Sequence, residues 1–117
     1  KGIKVTAISS DNRERAVMMA QKIGSTELRF GYGLSLDVAK AWGCYISKGH
    51  GKSSTGVEEP DLFVEPALFI IRPDGTLYFG SVQTMPFARP AFKELLGAFD
   101  FVIKSDYPAR GEYAGPV

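Results

Sequence analysis

Cysteine and histidine are almost missing from the chain: Cys44 and His50 each stand alone. One cysteine excludes an internal disulfide, and one Cys with one His excludes a zinc site of the usual kind, which needs three or four such ligands. Redox or metal chemistry would have to be completed from elsewhere. Long apolar runs are also missing. The longest span a few residues, against the roughly 20 needed to cross a bilayer, and no charged start followed by an apolar core marks a signal peptide. Nor does charge of one sign dominate: fourteen Lys and Arg stand against thirteen Asp and Glu, interspersed, for a net charge of +1. That balance gives no footprint for nucleic acid or membrane, and the chain reads as soluble and cytoplasmic.

What is present is enough for one modest core: 117 residues, 44% of them hydrophobic, with no repeats and no low-complexity tract. An initiating Met is absent. The chain opens at Lys1, and Ile3 to Ile8 is already a near-continuous apolar strand, from which we expect that the N-terminal part of the natural domain is missing.

The best-defined local structure is Glu65–Val82, EPALFIIRPDGTLYFGSV. Two β-favouring runs, Ala67–Ile71 and Leu77–Val82, flank Pro73-Asp74-Gly75. Pro presets φ, Asp bonds its own backbone and Gly75 takes φ > 0, so a hairpin with a three-residue loop and a bulge is predicted. Upstream, Gly2–Ser9 fits a buried strand of parallel type. Asp11 is placed to cap a helix over Asn12–Ile23, with Glu14 reaching back, Ala16, Ala20 and Ile23 on the inner face and Gly24 as the stop. A short strand is expected around Leu28–Phe30, and Ser35 can cap a second helix running to Trp42 and closed by Gly43. Cys44–Ile46 suits a short extended piece. Ser47–Asp61, SKGHGKSSTGVEEPD, has no apolar period and predicts a long exposed loop. After the hairpin, Pro90 suits the first position of a helix whose Phe92, Leu95, Leu96, Phe99, Val102 and Ile103 form one apolar stripe. Pro108 and the Gly/Pro-rich tail end it. The order β-α-(β)-α-β-β-α describes an α/β sandwich with a mixed sheet.

Few residues here look chemical. Gly51-Lys52-Ser53 resembles the end of a phosphate loop, but the first glycine of that motif would fall at Ile46. His50, between two glycines, reads as an exposed loop histidine and a poor rigid base. Cys44 follows a helix C-terminus, where no dipole lowers its pKa, and reads as a small buried thiol. Arg89, at the junction into the last helix, can hold an anion or a neighbouring thiolate, or serve only as a solvated cation or helix-end ion pair. Pro66 must lie at a strand entrance, since inside a ladder it would remove a donor; its local context favours a trans strand-starter, and a cis bond is allowed.

Val5-Thr6-Ala7-Ile8-Ser9-Ser10-Asp11 before a helix, Glu65-Pro66-Ala67 through Tyr78, and Arg89 before the last helix together resemble the later two-thirds of a peroxiredoxin-like protein of the alkyl hydroperoxide reductase and thiol-specific antioxidant type. The likeness covers residues 1–104 and leaves 105–117 as a C-terminal tail. Met85–Pro90 and Tyr107–Gly111 are similar to one bacterial subgroup. The resemblance implies an N-terminally incomplete thioredoxin-like sandwich and a thiol-dependent antioxidant oxidoreductase without a cofactor. It also implies a peroxide or disulfide substrate, a thiol electron donor such as a thioredoxin-like protein or a low-molecular-weight thiol, and leaves open a homodimer. It places Pro66 at the cis-proline position facing the reactive cysteine, with Glu65 beside it, and Arg89 at the arginine that polarises peroxide. The family's nucleophile lies on an earlier helix, so Cys44 does not match it and the nucleophilic cysteine is not in this chain. A thiol-disulfide oxidoreductase of the same fold and a non-catalytic redoxin-like binding domain are the alternatives. A flavodoxin-like fold is disfavoured because it would continue with parallel strands where this chain makes a hairpin.

Overall fold

The computed structural model describes residues 2–52 and 56–117. The chain is mixed α/β. Its elements are β1 (Thr6–Ile8), α1 (Arg13–Ile23), β2 (Arg29–Gly31), α2 (Leu36–Ala41), β3 (Ile46–Lys48), β4 (Leu62–Val64), β5 (Ala67–Ile71), β6 (Leu77–Val82) and α3 (Phe92–Ser105). They divide into two compact units, Lys1–Glu65 and Pro66–Val117. Among the described residues the strands form three two-stranded ladders, β1 with β2, β3 with β4 and β5 with β6, where one mixed sheet was expected.

In the first unit β1 and β2 pair in parallel through the crossover helix α1, with Thr6 opposite Arg29 and Ile8 opposite Gly31. The helix begins one residue later than the acid spacing suggested. Asn12, not Asp11, is the N-cap, and its Oδ1 accepts the Arg15 N–H at 3.0 Å. Asp11 is held otherwise: its own N–H donates to Ser9 Oγ at 3.0 Å and its carboxylate lies 3.9 Å from the Arg15 guanidinium. Gly24 ends the helix at φ 69°, a left-handed position that costs glycine nothing. Of the predicted inner face Ala16 is buried, while Ile23 stays exposed. Ser35 caps α2 through the Val38 N–H, and Ala39 is buried on its inner side.

Of the segment 47–61, expected as a loop, residues 47–52 and 58–61 pair in a β arm, while residues 53–55 lie outside the described residues. Ile46, Ser47 and Lys48 face Val64, Phe63 and Leu62, and the same register recurs further out, where Lys52 bridges Glu58. Between these points the Gly49 N–H donates to Asp61 O at 3.0 Å and the Glu59 N–H to Gly51 O at 2.7 Å. Inward, the Glu65 N–H reaches Tyr45 O at 2.8 Å. Two residues make this path possible. Pro60 falls opposite His50, at a position that contributes no N–H to the ladder. Gly49 is required because a Cβ there would run into the Pro60 carbonyl oxygen and crowd the Glu59 side chain. Polar composition concealed the arm, because its bonds are backbone bonds common to all sequences.

In the second unit the β5–β6 hairpin forms as its turn residues dictate. Gly75 N–H donates to Arg72 O and Arg72 N–H to Thr76 O, both at 2.9 Å, with Gly75 at φ 86°. Asp74 Oδ1 accepts both the Thr76 N–H at 2.9 Å and the Thr76 hydroxyl at 2.6 Å. Those bonds, the side-chain one first, hold the Asp74 carboxyl below its ordinary range, with the Arg72 charge adding to them. A bulge follows: Ile71 faces Leu77 but Ile70 faces Phe79, so Tyr78 is the extra residue. Its ring receives the Arg72 guanidinium at 5.0 Å and its hydroxyl donates to Tyr107 O at 3.0 Å, tying the C-terminal tail to the hairpin. Helix α3 starts at Phe92 with Ala91 as a cap lacking a side-chain bond, so Pro90 lies before the helix and not at its first turn position. Leu95, Phe99 and Val102 are its half-buried residues. It ends on Asp106 at φ 47°, with the Tyr107 N–H on Val102 O at 3.1 Å.

Two outcomes follow. Gly49→Ala is expected to cost about 1–3 kcal/mol through the steric conflict with Pro60, and hydrogen exchange at the Glu59 amide will rise while β5–β6 amides stay unchanged. Because the Asp74 pKa is lowered, its bonds to Thr76 persist above the usual carboxylate range and are lost as pH falls through the depressed value; the Thr76 amide shift in NMR should titrate at a midpoint below that of an unbonded aspartate.

Candidate functional site

Each residue singled out by sequence can now be placed. Pro66 stands immediately before β5, as a strand-starter should. Its carbonyl accepts the Gln83 N–H at 2.9 Å, one step beyond the Ala67–Val82 pair. The Glu65–Pro66 bond is trans, since no cis peptide occurs among the described residues. This corrects the cis geometry implied by the family resemblance and agrees with the residue's local context: an X–Pro bond is trans unless its surroundings favour the other isomer. Gln83 continues the polar end of the hairpin, its Nε2 donating to Ser81 Oγ at 2.7 Å.

Arg89 lies in the segment between β6 and α3. Its Nε donates to Pro86 O at 3.2 Å, which folds the Met85–Pro90 turn onto itself and leaves the guanidinium exposed. Pro66 and Arg89 thus bond to different backbone groups of the second unit, Gln83 and Pro86, and no hydrogen bond joins them. Phe87, between them in sequence, is 88% exposed.

Glu65 is the one buried charged side chain among the described residues, at 7% exposure. Its Oε1 accepts the Ser47 hydroxyl at 2.7 Å. The two sit diagonally on one face of the arm's root, because the Tyr45–Glu65 and Ser47–Phe63 pairs flank Ile46–Val64, two residues apart along each strand. A buried carboxylate needs such donors, and a charged acceptor strengthens the bond. Sequence reasoning proposed Glu65 only as a neighbour of Pro66 and missed Ser47, which it placed in a loop. The signal would have been a register linking Ile46 to Val64.

Cys44 follows α2, its N–H donating to Ala39 O at 3.0 Å, so it sits at the helix's negative end. It is half-buried beside an open groove lined by Leu36, Lys40, Tyr45 and Leu62. Burial pushes its thiol pKa up, away from the thiolate a nucleophile requires. His50 is on the arm and not in a loop, its backbone N–H donating to Glu59 Oε2 at 2.9 Å and its side chain exposed. Lys52 is likewise a ladder residue, opposite Glu58, which gives no strand-to-helix phosphate loop; Ser53 of that triplet lies outside the described residues. Among the described residues there is no group of three or more His, Cys, Asp and Glu side chains able to hold a metal ion, and no helix is long and apolar enough to cross a membrane.

Compared with protein-family models, with curated proteins and with solved structures, the chain gives no match.

For Cys44 the outcome is specific. Alkylation by iodoacetamide at pH 7.5 is expected to run slower than for an unhindered cysteine, and the rate's rise with pH should be centred above the ordinary thiol value. A midpoint below that value would refute the assignment of an inert thiol.

Proposed function

We propose that this chain is part of a peroxiredoxin-like, thiol-dependent antioxidant oxidoreductase of the thioredoxin fold, acting on peroxide with a cysteine thiolate that is not among its residues. The observation that carries the reading is the Pro-Asp-Gly hairpin entered through Glu65-Pro66, following a parallel β1–α1–β2 unit and followed by Arg89 and a closing helix. In such chemistry a thiolate attacks one peroxide oxygen, the O–O bond breaks, and the departing oxygen takes a proton while the sulfur becomes a sulfenic acid. A thiol donor then reduces the sulfenic acid, releasing water and forming a disulfide. A guanidinium is suited to hold both the thiolate and the departing oxygen, and Arg89 keeps its terminal nitrogens exposed while Nε fixes the turn. The residue assignments of this reading rest on Arg89 and the hairpin entrance, because the trans bond at Pro66 withdraws the cis-proline contribution.

One alternative has its own support. The trans Pro66 favours a redoxin-like domain that binds without catalysis.

The test uses the longest natural polypeptide containing this sequence, assayed for peroxide consumption with a thiol reductant. Arg89→Ala is expected to lower the rate about 10- to 100-fold, as loss of a charged donor to a developing oxyanion does, and Cys44→Ser to leave it unchanged. No turnover by that polypeptide selects the binding domain, and turnover abolished by Cys44→Ser makes Cys44 the nucleophile and overturns the assignment.

A further inference from the structure

We draw no further inference here: the strongest candidate, the apolar stripe of α3 on which Phe92 and Ile103 are 72% and 60% exposed, carries nothing, because nothing in the structure shows what covers it.

Discussion

The backbone ladder from Tyr45–Glu65 out to Lys52–Glu58 is the constraint on which the first unit depends. It joins residues 45–52 and 58–65, a stretch of mostly polar composition, into a β arm without an apolar core of its own. A two-stranded ribbon alone is marginal in water. Here its root packs against α2, and the Arg15 guanidinium of α1 donates to Glu58 O at 3.2 Å. The same ladder places Glu65 next to Ser47, so the buried carboxylate is a consequence of register. Shifting β4 by one residue would turn Glu65 to the other face, away from the Ser47 hydroxyl that its carboxylate accepts.

The second unit uses a different device. In β5–β6 the turn specifies the register, and the bulge at Tyr78 breaks the strict alternation of side chains. That irregularity lets one tyrosine take a guanidinium on its ring and hold the tail through its hydroxyl. Tyr107 completes the link by packing on Phe101 at 5.8 Å and accepting the Arg110 guanidinium at 2.7 Å. On the other face of the hairpin, Phe69 covers Gly80, which sits directly opposite it; a Cβ at Gly80 would approach the ring at 3.3 Å. A glycine weakens a strand, and an aromatic cross-strand neighbour compensates.

What could be read in the sequence was whatever is decided locally. Pro73-Asp74-Gly75, Gly24 and Ser35 act through their own backbone geometry and nearest bonds, and each does what its chemistry requires. The position of the first helix cap was less legible, since Asp11 and Asn12 are both good caps and the choice turned on Ser9 taking the Asp11 N–H. The arm was not legible, because its pairing joins residues up to twenty apart through backbone groups common to all sequences. Gly49 and Pro60 fell within the predicted loop, although each is needed to let the ladder pass. At the candidate site, Pro66 as a strand-starter was decided locally; Ser47 could be found only through the register.

The two-faced apolarity of β1 links these points to function. A strand with Val5 and Ala7 on one face and Thr6 and Ile8 on the other suits the interior of a sheet, and among the described residues it pairs with β2. Burying both faces and both edges is the usual condition of a parallel strand, because its crossover helices cover the sheet from either side. Thiol chemistry needs a dry enclosure around the nucleophile, which a β1 made central by a further strand would help to build.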